Sequence, residues 1–296
     1  SHRPAAASHR PAAPGPRLAF GGVLRSERIK LTSLRSIRLT LIITVLVGFG
    51  LSAMLALVMS TEAGPGVDPG ADALGQQSYL LMVSTFAAPF LALIFGVLGV
   101  FAISSEYSSG MILSTFAAVP RRWPVFVAKA IVAAALAALT AVLTVAGGLG
   151  IAIAFIPAAA GQLTSEPVVS GVLGTVAYLV LIALLAFGIA GLLRSTAGGI
   201  AVIAGVTFVL PIAMQVLTLT GWEWVPAVSA YLPAELGSTL AQGVTQEVAA
   251  GSGAVTVEGG AAAEGPGYWT ALVSMIGWAA AVVLPAAAAF QRRDAR

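Results

Sequence analysis

Six long apolar segments constrain the fold of this chain more than any other feature of its sequence. Each segment is long enough to cross the roughly 30 Å hydrocarbon core of a bilayer as a helix. The segments are residues 39–59, 79–103, 125–156, 168–192, 199–218 and 268–290. Only 9% of the 296 residues are charged, whereas soluble domains carry about 25%. We therefore expect an all-α integral membrane protein with six transmembrane helices.

The cationic residues predict how these segments are oriented. All 15 Lys and Arg residues fall in the N-terminal lead (1–38), in the connection 104–129, at Arg194 or in the tail 291–296. The connections between these regions carry acidic residues instead, among them Glu235. Because cytoplasmic loops are enriched in Lys and Arg, we expect both termini to be cytoplasmic.

Composition also predicts the structure of the tail, the lead and the longest loop. Residues 1–17 contain the repeated SHRPAA and are expected to form a disordered tail. Residues 18–38 predict an amphipathic helix along the membrane interface, with a solvated basic lead-in as the alternative. The outer loop 219–267 is expected to form short helices after Tyr231-Leu232-Pro233 and then a Gly-rich insertion over 245–267.

The residues needed for catalysis or metal binding are scarce. The chain has no cysteine, and its histidines, His2 and His9, both lie in the tail. Neither of the two lysines, Lys30 and Lys129, follows a phosphate-binding G-x-x-x-x-G-K-[ST] loop. The spans hold no charge at mid-depth, and Lys129 lies near the cytoplasmic end of its helix, where it can snorkel. We expect no catalytic residue, no metal site and no bound cofactor, so that energy for any work comes from another subunit.

The polar connection between the second and third spans, residues 104–124, is the expected contact for that subunit. Ser108 or Ser109 can cap a short helix over 110–118, which Pro120 would end. Ile112 and Phe116 would share one face of this helix. Such a helix can enter a groove of a partner or lie among lipid headgroups, and the periodicity favours neither.

Part of this connection resembles a known family. Glu106-Tyr107, Gly110, Pro120-Arg121-Arg122 and Lys129 resemble the pattern E-Y-x-x-G…P-x-R…(A)K of permease subunits of the ABC type-2 export family. The stretches 24–38, 191–197 and 231–233 are also similar to bacterial members. The resemblance implies a multi-pass protein of the bacterial plasma membrane that pairs with a second permease subunit and with ATP-binding cassette subunits, which carry ATP and Mg.

The resemblance also implies roles for particular residues. The residues that would couple the chain to the ATPase are Glu106, Tyr107, Gly110, Met111, Ile112, Phe116, Arg121 and Arg122. The second and fifth spans would line the path of an exported apolar or amphipathic solute such as a drug, an antibiotic or a lipid. The candidate wall residues are Phe86, Phe90, Phe208, Met214 and Gln215, and ordinary helix packing is the alternative for each. Pro89 and Pro211 would kink these two spans.

Two other functions stay open from the sequence. The chain could be a membrane anchor or immunity-type subunit that holds a partner at the bilayer without moving a solute. It could also be an ion-coupled secondary carrier, although its spans lack the mid-depth ionisable residues typical of that class. The composition gives no reason to expect nucleic acid as a partner, because the positive charges follow the predicted topology.

Overall fold

The computed structural model describes residues 20–33, 35–61, 72–109, 122–244 and 265–292. Within these ranges the chain is helical and contains no strand. The α-helices are α1 (Phe20–Ser33), α2 (Arg35–Thr61), α3 (Ala73–Thr85), α4 (Ala88–Ser109), α5 (Arg122–Phe155), α6 (Glu166–Leu193), α7 (Thr196–Ala204), α8 (Leu210–Thr218), α9 (Trp224–Ser229), α10 (Pro233–Gln242) and α11 (Tyr268–Arg292). A 3₁₀ helix, Pro157–Gln162, precedes α6, and a π-helix, Gly205–Val209, separates α7 from α8.

Six helical segments in the described ranges are long and apolar enough to cross a membrane, one at each predicted apolar segment. The first span is α2, the second is α3 with α4, the third is α5, the fourth is α6, the fifth runs from α7 to α8, and the sixth is α11. The prediction of a helical, multi-pass membrane protein is therefore confirmed.

Prolines interrupt the second and fifth spans. The second span breaks at Phe86 and Ala87, directly after Thr85, whose carbonyl lies four residues before Pro89. A proline has no N–H for that carbonyl, and its ring clashes with it. In the fifth span the π-helix stands immediately before Leu210 and Pro211. Both irregularities lie where the two prolines predicted kinks.

The fourth span is the centre of the bundle. In the most apolar part of the fourth span, 61% of the residues are buried inside the chain. In the most apolar part of the fifth span, only 17% are buried. Small residues let neighbouring helices approach closely: a Cβ added to Gly99 of the second span would lie 2.0 Å from the Ala183 carbonyl oxygen. The fourth span therefore positions the others, and the fifth lies at the periphery of this chain.

The lead helix is shorter than the predicted interfacial helix over 18–38. Helix α1 ends at Ser33, and Arg35 already begins the helix of the first span. Leu31 is buried in the main hydrophobic core, and Leu24 packs against that core. Helix α1 is therefore attached to the bundle and does not rest on lipid alone.

Several predicted features lie outside the described residues. These are the tail 1–17, most of the polar connection with its predicted helix 110–118, most of the Gly-rich insertion 245–267, and residues 293–296.

Candidate functional site

The ends of four spans meet on one side of the bundle. The rings of Phe126 and Phe187 have centroids 5.1 Å apart, and those of Phe126 and Phe290 are 5.5 Å apart. Gly191 lies against Phe126 and Ile103. The end of the second span, the start of the third, and the ends of the fourth and sixth therefore share this side. We call it the basic face, because all described Lys and Arg residues belong to it or to helices that begin or end there.

A buried ion pair attaches α1 to the third span at the basic face. Lys129 Nζ donates to Glu27 Oε2 at 2.6 Å, and the two side chains are only 3% and 2% exposed. Lys30 Nζ, at 3.1 Å, donates to the other carboxylate oxygen of Glu27 and is 36% exposed. Two buried charges at hydrogen-bonding distance form a strong and directional connection. The sequence predicted that Lys129 would snorkel towards water, but in the structure it bonds to an acid on the neighbouring helix.

The predicted coupling residues lie between Glu27 and Lys129 in the sequence. Glu106 and Tyr107 belong to the last turns of α4, and Arg122 begins α5, seven residues before Lys129. Gly110, Met111, Ile112, Phe116 and Arg121 lie outside the described residues. Any segment that joins α4 to α5 starts and ends at the basic face, because both helices reach it through Ile103 and Phe126.

Hydrogen bonds connect the opposite ends of the spans. Tyr79 donates to the Ala152 carbonyl at 3.1 Å, and Tyr268 donates to the Ser170 carbonyl at 3.0 Å. The described acidic residues other than Glu27 and Glu106 belong to this side, which we call the acidic face. They are Asp72, Glu166, Glu223 and Glu235.

Helix α10 enters the bundle from the acidic face. Gly237 packs against the ring of Tyr178, Leu240 lies against Gly174, and Gly243 approaches the Pro167 carbonyl. Helix α10 therefore runs along the fourth span, and its first turn is the deepest. Irregular backbone at membrane depth is tolerated where protein covers it, and Leu236 and Leu240 are fully buried.

Local sequence explains why α10 begins and ends where it does. Pro233 occupies the first turn, where its missing N–H costs nothing. Leu232 before it is extended, with φ −72° and ψ 148°, as expected for a residue that precedes proline. Gly243 ends the helix with φ 74°, a conformation that favours glycine.

A cavity of about 570 Å³ lies between α10, the second span and the fourth span. Its apolar wall includes Met82, Phe86 and Phe90, and its polar groups include Ser78, Ser238 and Gln242. The rings of Phe86 and Phe90 have centroids 6.0 Å apart. The proline break of the second span shapes this wall, because Phe86, Ala88, Pro89 and Phe90 all line it. We call this space the outer cavity.

Tyr178 closes the outer cavity on the side of the fourth span. Its side chain is 3% exposed and lines the cavity. A Cβ on Gly237 would lie 2.5 Å from the ring, so that only glycine permits this contact. Within the described part of the chain the Tyr178 hydroxyl has no hydrogen-bond partner, although the carboxylate of Glu235 interacts with it electrostatically.

The structure separates the five predicted wall residues into two groups. Phe86 and Phe90 line the outer cavity. Phe208 lies half-buried in the π-helix, Gln215 is exposed, and Met214 is buried against Val225 and Leu232. The outer cavity is therefore built from the second and fourth spans and α10, and its lining includes no residue of the fifth span.

Sequence reasoning missed three residues that matter here. Glu27 is the one acid in a strongly basic lead, and that isolation was the available signal for a specific partner. Glu235 was assigned to an outer loop whose short helices could lie on the outer leaflet or dip into it, and the local sequence does not decide between these two courses. Tyr178 looked like one more residue of an apolar span.

No metal-binding cluster of three or more His, Cys, Asp or Glu residues occurs in the ranges that the structure describes. No protein-family model matches the sequence, and no curated protein matches it significantly.

Proposed function

We propose that this chain is the transmembrane permease subunit of an ABC exporter, which moves an apolar or amphipathic solute across a bacterial plasma membrane. ATP and Mg are bound and used by separate ATP-binding cassette subunits, and a second permease subunit completes the path. The basic face is cytoplasmic in this proposal, as the excess of Lys and Arg predicts. The sequence pattern around Glu106 to Lys129 and the six apolar helices support it together.

The observation that carries the proposal is the buried Glu27–Lys129 ion pair at the basic face. The third span begins directly after the polar connection, so a push on that connection reaches Lys129 within two turns of α5. The ion pair passes the displacement to α1, and the aromatic contacts of Phe126 pass it to the fourth and sixth spans. The inner end of the bundle therefore moves as one body when a partner acts on it.

The mechanism follows from this connection. Binding of ATP closes the two ATP-binding subunits and displaces the polar connections of both permease subunits. The third span and α1 tilt together, and the paired bundles rock. Since the second and fourth spans line the outer cavity, their displacement changes the cavity and releases a solute outward.

The test begins with purification of the tagged chain in mild detergent from its native membrane. We expect an ATP-binding subunit to co-isolate, and we expect vesicles that contain the complex to hydrolyse ATP. Glu106→Ala and Phe116→Ala should each lower ATP hydrolysis by inside-out vesicles that contain the complex. Thr32→Ala is the matched control, because its exposed hydroxyl bonds only within α1.

Two outcomes would contradict the proposal. Isolation without an ATPase, with no nucleotide-dependent transport, would favour a membrane anchor. Transport that persists without nucleotide and stops with an uncoupler would favour an ion-coupled carrier. Glu235 is the specific observation in favour of that carrier, since α10 brings this exposed carboxylate near the level at which Gly237 packs against Tyr178 of the fourth span.

A further inference from the structure

We propose that the outer cavity binds a lipophilic cation, with aromatic groups of the ligand against Phe86 and Phe90 and its positive charge at Glu235. The inference names the class of solute that the proposed exporter would carry. Binding of the cation does not depend on the proposed function, whereas its export does.

The depth of Glu235 is the first argument. Gly237, two residues after Glu235, packs against Tyr178, which is about 18 Å along α6 from Glu166 at 1.5 Å per residue. A carboxylate at that depth is costly in a membrane unless water or a cation accompanies it. Glu235 is exposed in the isolated chain, at the deepest turn of α10. A ligand cation in the outer cavity would satisfy it.

The chain itself supplies no cation there. The sequence has no Lys or Arg between Arg38 and Arg121, between Lys129 and Arg194, or between Arg194 and Arg292. Every connection on the acidic face therefore lacks basic residues. The electrostatic potential around the cavity entrance attracts cations and repels anions.

Helical spacing places the carboxylate next to the cavity, although Glu235 is not itself one of the lining residues. Glu235, Ser238 and Gln242 are separated by three and seven residues, so they form one edge of α10. Ser238 and Gln242 line the outer cavity. This edge supplies polar groups to one side of a cavity whose other side is apolar.

Tyr178 supplies a polar group on the side of the fourth span. Its side chain is 97% buried (3% exposed) and lines the cavity. The hydroxyl has no hydrogen-bond partner among the described residues, so it can accept a hydrogen bond from a molecule in the cavity. A ligand with an N–H or O–H group would donate that bond.

The aromatic wall and the size fit the same class of ligand. Cations are attracted to the faces of aromatic rings, and Phe86, Phe90 and Tyr178 all line this space. Its volume of about 570 Å³ lies within the range of roughly 300–1,000 Å³ for sites that take drug-sized molecules. A lipid acyl chain would fit the apolar wall, but it would leave both Glu235 and Tyr178 without a partner.

The experiment measures binding to the purified full chain in nanodiscs, with empty nanodiscs subtracted. Ethidium is the first probe, because it is an aromatic cation with N–H groups and its fluorescence reports binding. Tetraphenylphosphonium and tetraphenylborate are the competitors, since they share shape and differ in the sign of their charge. We expect tetraphenylphosphonium to displace ethidium and tetraphenylborate not to.

Two variants separate the contribution of the Glu235 charge to binding from that of the Tyr178 hydroxyl. Glu235→Gln should weaken binding of both cations by about tenfold, because it removes the compensating charge. Tyr178→Phe should weaken ethidium by roughly threefold to tenfold and leave tetraphenylphosphonium unchanged, since that ion has no hydrogen-bonding group. Glu223→Gln is the matched control: it removes an exposed acid of the same face that lies outside α10.

Equal competition by tetraphenylborate, or unchanged affinity in Glu235→Gln, would overturn the inference and indicate an apolar or lipid-filled space. Binding needs neither nucleotide nor partner, so its failure is distinct from failure of the proposed function. An intact ATP-driven transporter that binds no cation would refute the inference alone, and a cation-binding chain without any ATPase would refute the proposed function alone.

Discussion

The two ends of this helical bundle are held together by different forces. At the basic face, aromatic rings pack around Phe126, and a buried ion pair joins Glu27 to Lys129. At the acidic face, Tyr79 and Ala152 belong to a smaller apolar cluster, in which the Tyr79 hydroxyl also donates to the Ala152 carbonyl. The comparison indicates that a buried ion pair joins the helices at the basic end, whereas the outer cavity separates parts of the second and fourth spans and α10 towards the acidic end.

The difference follows from where charges and glycines fall. A buried pair of opposite charges resists separation, because either partner alone would be an uncompensated charge in an apolar environment. Gly237 instead brings the ring of Tyr178 close to α10 without filling the space beside it. One end of the same fourth span is therefore closely packed, and the other end borders a cavity.

The largest expected effect is at the ion pair. Lys129→Ala removes the shorter of the two ion contacts of the buried Glu27, and we expect a loss of about 3–5 kcal/mol of unfolding free energy. The check is denaturation of the purified protein in detergent.

A double variant sharpens this result. Glu27→Leu combined with Lys129→Met replaces the pair by apolar side chains of similar volume, so most of the stability should return. Lys30→Ala is the control, because that side chain is partly exposed and should cost less than about 1 kcal/mol. A double variant as unstable as Lys129→Ala would show that the pair is not the source of the effect.

The next effect is at the contact between the second and fourth spans. Gly99→Ala places a methyl group against the Ala183 backbone, and forced separation of packed helices typically costs about 1–3 kcal/mol. Thermal unfolding in detergent should show the loss. Gly150→Ala is the matched control in a helix with open space around it, and an equal loss there would contradict the packing argument.

A smaller effect is expected at the acidic end. Tyr79→Phe removes a buried hydroxyl that donates to the Ala152 carbonyl, and loss of one such hydrogen bond costs about 1 kcal/mol. The measurement is the same denaturation experiment. A loss as large as that of Lys129→Ala would mean that the two ends do not differ in strength, which would break the comparison.

The smallest effect is expected at Trp278. Its indole N–H donates to the Tyr231 carbonyl at 2.9 Å from a partly exposed position. Trp278→Phe should therefore change the unfolding free energy by less than about 1 kcal/mol. A larger loss, measured in the same way, would show that this hydrogen bond between the sixth span and the segment before α10 helps to hold α10 in place.

Much of the fold could be predicted because it depends on local properties of the chain. Length and apolar composition determine where a helix can cross a bilayer, and they place all six spans. Pro89 and Pro211 act on the carbonyls four residues before them, so the irregularities of the second and fifth spans could also be predicted. Phe86 and Phe90 could be proposed as wall residues because they adjoin such a break.

The candidate sites depend on contacts between residues far apart in the sequence. Glu27 and Lys129 are 102 positions apart, and neither residue by itself reveals that it is buried with the other. The helix that carries Glu235 packs against Tyr178 only because α10 runs along glycines of the fourth span and presents Gly237 to the ring.

The sequence by itself determined the class of protein, the number of membrane helices and the segregation of charge between two faces, since these follow from hydropathy and from the identity of each residue. The tertiary structure alone decided which charges are paired and which helix of the outer loop forms a wall of the cavity. The physical reason is that burial and pairing are properties of two surfaces brought together, and helix packing over long sequence separations sets which surfaces meet.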